Sequence, residues 1–272
     1  MSHSLCVASG KGGVGKSVIT ANLGAILARR GLSVVVIDAD IGLRAQDTLL
    51  GLADNVVYDL VDVVKKDCVL DQALLSHSVI PGLFLLPAAQ FARARALDPD
   101  RLRKILDILK QSYDFILIDC PAGLERGLRN VLNAGVDTTV LVVTPDDICI
   151  RDAERTAALM EAKHLPRPSL IVNRLDSSLI SKGEMYFAHT VAETLDLLLL
   201  GEIPEDPVVY RSVLRHTLFT DYDCEARAAI LRIAARLCGE TVRFPAYGTH
   251  RGSRLRRRLN ADPKEVLPLE RY

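Results

Sequence analysis

A glycine-rich segment near the start of the chain is the feature that most limits the folds open to it. Residues 10–17 read GKGGVGKS and fit the phosphate-binding pattern G-x-x-x-x-G-K-[ST]. An apolar run at 5–8 precedes the loop, and a segment with helical character at 18–23 follows it. Glycines let successive backbone N–H groups turn toward one anion, and a helix N-terminus adds its positive dipole. The sequence therefore predicts a strand–loop–helix unit that binds nucleotide phosphates.

Different residues of this loop are expected to bind ATP and Mg²⁺. Lys16 would reach the β- and γ-phosphates, and the Ser17 hydroxyl would ligate Mg²⁺. A second lysine, Lys11, lies inside the loop. The residues predicted from the motif to bind the nucleotide are Gly10, Lys11, Gly12, Gly13, Val14, Gly15, Lys16 and Ser17.

Composition excludes several broad classes of protein. The 272 residues carry no formal net charge, so any affinity for nucleic acid or membrane must be local. The six cysteines and six histidines are scattered, which predicts reduced thiols and no protein-ligated metal cluster. We find no apolar run of transmembrane length and expect no signal peptide. A chain that is 49% hydrophobic can bury a sizeable core.

Short apolar runs alternate with helical segments along residues 1–240. Their nearly continuous apolar character is typical of strands buried on both faces of a parallel sheet. The pattern predicts an α/β fold, a doubly wound and mostly parallel sheet with helices on both faces. The predicted strands are 5–9, 33–38, 83–87, 115–119, 139–144, 169–173 and 199–203, and the predicted helices are 16–30, 98–112, 146–164, 184–196 and 221–238. Residues 241–272 are predicted to form a basic tail outside this domain.

Acidic residues follow two of the predicted strands, at the sheet edge where such folds bind ligands. Asp38 and Asp40 end the second strand: Asp38 is expected to hold Mg²⁺ directly or through water, and Asp40 to position the attacking water. Asp119 caps an apolar run like a Walker B strand and is expected to bind the Mg²⁺ water shell. Gly123 is expected to leave its backbone N–H available to the γ-phosphate and to let the loop move when that phosphate leaves.

Two further strand ends are candidates for contacts with the base. Asn173 offers an amide to adenine, and Arg174 offers a guanidinium that can stack on the ring. Pro204 and Asp206 follow another strand and can place backbone groups against the purine edge. Each pair read alone is also compatible with an ordinary loop.

These residues together resemble the deviant Walker A ATPases of the ParA/MinD family, and within it the septum-site-determining branch. The resemblance rests on the loop at 11–17 and on the segments DIGLR at 40–44, VYD at 57–59, LPAAQ at 86–90, DCPAG at 119–123 and IPED at 203–206. It covers residues 3–240 and implies a P-loop ATP hydrolase. The loop alone indicates only the superfamily, whereas 42–44 and the Pro-Ala-Gly segment indicate the branch.

The resemblance also implies roles for single residues. Lys11 would cross a dimer interface to the partner's phosphates, so that ATP lies between two subunits. Asp40 would orient water in switch I, Asp119 and Gly123 would form switch II, and Asp152 would contact an activator. The implied partners are a second copy of the chain, a MinC-like division inhibitor and a MinE-like or other activator. The implied location is the cytoplasm, with reversible peripheral binding at the inner face of the cell membrane.

The tail departs from the family pattern, which usually ends in an amphipathic helix with several large apolar residues. Here the candidate membrane-binding residues are Arg254, Leu255, Arg256, Arg257, Arg258 and Leu259. Basic residues near an anionic surface contribute roughly 1 kcal/mol each. Two buried leucines add about 2–3 kcal/mol. One copy would bind weakly, and two copies in a dimer would bind usefully through avidity. A solvated basic tail is the alternative.

Other functions remain open from the residues alone. A ParA-like DNA-partitioning ATPase or a flagellar-number relative would need a basic stripe on the folded domain, and no sequence-specific nucleic acid partner is expected. An iron–sulfur electron-transfer ATPase would need suitably placed cysteines to hold the cluster. Cys120 lies in the predicted switch II segment, but no second cysteine lies near it in the sequence. A scaffold that binds ATP without hydrolysing it would not need Asp40.

Overall fold

The computed structural model describes residues 2–90, 97–123, 126–163 and 165–245. Eight strands form one sheet in the order β3-β4-β2-β5-β1-β6-β7-β8, and every neighbouring pair is parallel except β3 with β4. The strands are β1 (His3–Ala8), β2 (Val34–Asp38), β3 (Leu75–Ser76), β4 (Leu83–Leu86), β5 (Phe115–Asp119), β6 (Thr138–Val143), β7 (Ser169–Leu175) and β8 (Leu198–Pro204).

The helices lie on both faces of the sheet. They are α1 (Lys16–Arg29), α2 (Gln46–Leu49), α3 (Leu60–Lys65), α4 (Leu70–Ala73), α5 (Pro99–Leu109), α6 (Arg126–Asn133), α7 (Asp147–Ala162), α8 (Ser177–Lys182), α9 (Ala188–Leu195), α10 (Pro207–Leu214) and α11 (Glu225–Leu237). The connection through α1 runs from β1 toward β2, whereas the one through α6 runs from β5 toward β6, in the opposite direction along the sheet. Because parallel crossovers are right-handed, α1 and α6 lie on opposite faces. Helix α11 packs beside α1 and covers β8.

The central strands are buried on both faces. All five residues of β2 and of β5 are buried, as the nearly continuous apolar runs predicted. Close packing of α1 on β2 explains the glycine at position 24. A Cβ at Gly24 would lie only 2.8 Å from Val36 Cγ2, so the absence of a side chain lets the helix approach the strand closely. The doubly wound, mostly parallel fold is confirmed, and all seven predicted strands are present with ends shifted by two residues or fewer.

Several short elements were not predicted from the sequence. Strand β3 is antiparallel and only two residues long, and α2, α3, α4, α6, α8 and α10 are helices of eight residues or fewer. A periodic pattern needs more residues than these elements supply. The long helix predicted at 184–196 forms only over Ala188–Leu195.

The beginning of the predicted tail packs against the domain. Arg236 of α11 donates hydrogen bonds to the carbonyls of Val242 and Arg243 and stacks over the Phe244 ring at 3.8 Å. Residues 246–272, including all six candidate membrane-binding residues, lie outside the described residues. Within the described ranges, no helix is both long enough and apolar enough to cross a membrane.

Candidate nucleotide site

The phosphate loop joins β1 to α1 at the carboxyl edge of the sheet. Gly13 (φ +80°) and Gly15 (φ +94°) adopt the left-handed region, which favours glycine. A Cβ on Gly15 would also lie 2.4 Å from the Asn173 amide nitrogen. Among the residues that the structure describes, no side chain caps the start of α1. The first backbone N–H groups of the helix therefore remain suited to an anion.

Lys16 is buried at the start of α1 and pairs with the Walker B carboxylate. Its Nζ lies 2.6 Å from Asp119 Oδ1, and both side chains are almost fully buried. Burial alone would lower the pKa of Lys16, but the neighbouring Asp119 carboxylate outweighs it and raises the pKa above its usual value. Lys16 therefore keeps its charge, and a bound phosphate would exchange for, or add to, its contact with Asp119.

Gln46 completes this cluster, although no motif in the sequence points to it. Its Nε2 donates to Asp119 Oδ2 at 2.8 Å and to the Ser17 carbonyl at 3.0 Å. Gln46 is fully buried, and its Oε1 has no hydrogen-bond partner within the described part of the chain. A buried acceptor left without a donor costs about 1–3 kcal/mol. A lone glutamine beside Ala45 carries no sequence signal of burial, so only the fold reveals it.

Asp38 organises the segment that follows β2. Its carboxylate accepts backbone N–H bonds from Asp40 (3.0 Å), Ala45 (2.9 Å) and Gln46 (3.0 Å). Burial and the neighbouring Asp119 carboxylate raise the pKa of Asp38 to about 7, against the effect of these three donors. The structure therefore gives Asp38 a role in shaping residues 40–46, while its part in holding Mg²⁺ stays a prediction. Asp40 is half-buried at the start of this segment.

Gly123 lies at the other side of the phosphate loop, after β5. Its φ of +81° is left-handed, so the turn favours glycine. Its N–H, which we expected to be available to a phosphate, donates to the Ser9 carbonyl at 2.9 Å. Contact between this N–H and a γ-phosphate would require that hydrogen bond to open. Such an exchange is compatible with a segment that changes position with the nucleotide.

A cleft with a volume of about 370 Å³ lies beside the loop. Lys11 is exposed and lines this cleft, whereas Lys16 is buried and does not line it. The two lysines of the motif therefore occupy different environments. The cleft is lined by Lys11, Gly12, Gly13, Val14, Thr144, Pro145, Asp146, Arg174 and Met185.

Of the four candidate base contacts, only Arg174 lines this cleft. Asn173 is buried and donates to the Val14 carbonyl at 2.7 Å, so its amide supports the phosphate loop. Asp206 caps α10 by accepting from the Val208 N–H and also accepts from the Ala226 N–H. Both side chains therefore hydrogen-bond the protein backbone. Base binding at these strand ends stays a prediction.

Strands β7 and β8 bring together the two segments that carry the candidate base contacts, 173–174 and 204–206. Pro204 pairs in register with Leu175, and Arg174 Nε lies 3.9 Å from Glu205 Oε2. The backbone of 204–206 therefore lies next to Arg174, as expected from neighbouring strand ends.

Asp152 lies on α7 and is packed directly against the phosphate loop. A Cβ added to Gly10 would lie 2.6 Å from the Asp152 backbone, so the absence of a side chain at Gly10 permits this approach. The Asp152 side chain is 28% exposed and lies 3.6 Å from Arg155. A partner that binds Asp152 would therefore touch a residue that packs directly against Gly10, the first residue of the loop.

Neither the cysteines nor the other ligating side chains form a metal cluster in the described residues. Cys6 and Cys120 lie 3.1 Å apart, sulfur to sulfur, and both are fully buried. The structure therefore places next to Cys120 a cysteine that is distant in sequence, and burial withholds both thiols from a cluster shared between subunits. Burial and the Cys6 thiol raise the pKa of Cys120 well above its usual value, so it stays a thiol.

The fold and this site define a P-loop nucleoside triphosphatase. The profile of a family described as "ParA: NUBPL iron-transfer P-loop NTPase" matches residues 1–238. The septum site-determining protein MinD of Synechocystis is 39% identical over 264 residues, covering 95% of this chain and 99% of that protein. MinD of Bacillus subtilis is 38% identical over 245 residues, covering 89% of this chain and 91% of that protein.

Solved structures lead to the same family. The chain matches one from the MinC:MinD cell division protein complex of Aquifex aeolicus with a TM-score of 0.84 at 35% identity, covering 90% of this chain and 99% of that one. It matches MinD of Pyrococcus horikoshii complexed with Mg-ADP with a TM-score of 0.77 at 30% identity, covering 86% and 95%. The chain belongs to the ParA/MinD family of P-loop ATPases, in its septum site-determining MinD branch.

Proposed function

We propose that this protein is a Mg²⁺-dependent ATPase switch that forms a homodimer with ATP between its subunits, and that it helps to place the division septum. The single observation that carries the dimer is the contrast between its two loop lysines. Lys16 is buried and paired with Asp119, so it serves its own site, while Lys11 is exposed at the cleft. A lysine supplied by a second subunit would stabilise charge developing on the transferred phosphoryl group.

The residues present fit Mg²⁺ and a nucleotide. Within the described residues, the left-handed glycines lie next to an uncapped helix start, and the buried Gln46 Oε1 has no donor, which water bound to a metal ion would supply. Ser17 and Asp119 would hold Mg²⁺, which neutralises phosphate charge when bound. Lys16 binds phosphate oxygens, and Asp40 holds the attacking water at the start of the segment shaped by Asp38.

We further propose that the ATP dimer binds an anionic membrane through residues 254–259 and recruits a MinC-like division inhibitor. The Aquifex complex of MinC with MinD supports this partner. Activation by a MinE-like protein would act on Asp152, since α7 packs on Gly10 and any shift there reaches the phosphate loop. Hydrolysis would then return monomers to the cytoplasm.

Co-sedimentation with vesicles containing anionic phospholipid tests the membrane switch. We expect the full chain to pellet in ATP and to remain in the supernatant in ADP. A chain that ends after Tyr247 should bind nucleotide normally and stay in the supernatant. Pelleting that ignores the nucleotide, or no pelleting in any nucleotide, would contradict the proposal.

A variant pair separates lipid contact from dimerisation. Leu255→Ser with Leu259→Ser should dimerise in ATP, as measured by light scattering, without binding vesicles. Lys11→Ala should bind ATP as a monomer and therefore should also fail to pellet. If Lys11→Ala dimerises and pellets like the wild type, the role given to Lys11 is wrong, although the tail could still be the anchor.

A further inference from the structure

The Gln46 side chain bridges two residues expected to hold the metal. Its single amide nitrogen donates both to the backbone carbonyl of Ser17 and to the carboxylate of Asp119. Both of these neighbours are acceptors, so the nitrogen, and not the oxygen, must face them. The orientation of the amide is therefore fixed by its partners.

This orientation leaves Oε1 buried and without a donor among the described residues. The two hydrogens of the nitrogen are both used, so the remaining hydrogen-bonding capacity of the side chain is this one acceptor. None of the residues that the structure describes donates to this position, so a donor that arrives with the bound nucleotide would satisfy it. Water bound to a cation is a strong donor, since the cation polarises its O–H bonds.

Gln46 also belongs to the segment that Asp38 organises. Its backbone N–H donates to Asp38 Oδ2, and it is the first residue of α2. The same residue thus contacts the segment after β2 through its backbone, and the Walker B carboxylate and Ser17 through its side chain. Asp119 itself has one oxygen on Lys16 and the other on Gln46.

We propose that Gln46 is a positioning residue for the metal side of the nucleotide site. Its nitrogen fixes Asp119 relative to Ser17, and its oxygen accepts a hydrogen bond from water bound to Mg²⁺. This inference rests on the proposed Mg²⁺ dependence and adds a residue that the phosphate-loop motif does not contain. Through Gln46, the presence of the metal acts directly on the segment from Asp38 to α2.

The test measures how much Mg²⁺ strengthens ADP binding. The dissociation constant of a fluorescent ADP analogue is measured once with excess Mg²⁺ and once with EDTA, and the ratio of the two constants is the Mg²⁺ enhancement. The wild-type ratio tests the proposed Mg²⁺ dependence by itself. A wild-type ratio of one would overturn that dependence, and this inference with it, before any variant is measured.

Gln46→Met keeps the length of the side chain and removes its polar atoms. Loss of a residue that orients a metal ligand typically lowers metal affinity by about 10–100-fold. We therefore expect the Mg²⁺ enhancement to fall by at least about tenfold, while affinity in EDTA keeps its wild-type value. Thr48→Ala is the matched control on the same short helix, because within the described contacts the Thr48 hydroxyl hydrogen-bonds only Asp47. It should keep the wild-type ratio.

Thermal unfolding without nucleotide establishes which variants are folded. Gln46→Asn serves where the methionine variant does not fold, since it keeps the amide but is too short to reach Ser17 and Asp119 together. It should lower the ratio in the same direction. A folded variant with the wild-type ratio would overturn the proposal. Equal loss of affinity in Mg²⁺ and in EDTA would also overturn it, because that result indicates a packing role alone.

Discussion

Substitution of Gly10 by alanine tests the close contact between the phosphate loop and α7. A Cβ at this position would lie 2.6 Å from both the carbonyl carbon and the carbonyl oxygen of Asp152, and 2.7 Å from its Cβ. Two of these three atoms belong to the backbone of α7, so no side-chain rotation relieves the overlap. The loop and the helix must separate toward ordinary contact at 3.4 Å or more.

The cost follows from two opposing terms. Added methyl groups in a packed site typically destabilise by about 1–3 kcal/mol. Replacing glycine by alanine restricts the unfolded chain and, at compatible sites, stabilises by about 0.4–1 kcal/mol. Gly10 is not in the left-handed region, so this second term applies. We expect Gly10→Ala to lower the free energy of unfolding by about 1–2 kcal/mol.

Gly12→Ala is the control within the same loop. Its added Cβ would meet only Ala122 Cβ at 3.9 Å, an ordinary contact, and Gly12 is not left-handed. We expect its free energy of unfolding to match the wild type or to exceed it by up to about 1 kcal/mol. Urea unfolding of both variants without nucleotide, followed by circular dichroism, gives the comparison. Equal stability of the two variants would refute the role given to the contact between Gly10 and α7.

Three further predictions concern the other end of the sheet and the loop. Burial raises the pKa of Glu202 to about 7, so ionisation of Glu202 favours unfolding, and the free energy of unfolding should fall as pH rises from about 4.5 to 7. Glu202→Gln should remove this pH dependence and raise the free energy of unfolding at pH 8 by up to about 3 kcal/mol, as measured by urea unfolding across pH. An unchanged pH dependence in the variant would contradict this prediction. Arg236→Met should lower the free energy of unfolding by about 3 kcal/mol, because three carbonyl groups lose a charged donor. Phe244→Ala should lower it by only about 1 kcal/mol, and equal losses in the two variants would show that the contact with the ring dominates. Asn173→Ala should lower the free energy of unfolding by about 1–3 kcal/mol, because the Val14 carbonyl loses its hydrogen-bond donor. The variant should also bind ADP more weakly, both in EDTA and in Mg²⁺. Unchanged ADP affinity would mean that the phosphate loop does not need this hydrogen bond.

The sequence was most informative where local rules act on consecutive residues. The phosphate-loop motif placed Gly13, Gly15, Lys16 and Ser17 in a strand–loop–helix unit, because only glycine adopts the required backbone at low cost and because the spacing is fixed. Continuous apolar runs predicted the buried parallel strands for a similar reason: burial on both faces leaves no room for alternating polar residues. The short elements that flank the sheet lack such patterns.

Only the tertiary structure decided how distant residues share the site. Gln46, Asp119 and Lys16 are far apart in sequence, and their contacts depend on the order in which the strands pair. The same order brings the Asn173 amide to the loop carbonyl of Val14. Local sequence therefore determined the fold class and the phosphate loop, whereas the partners of buried polar groups, which must be satisfied across the whole sheet, were set by packing alone.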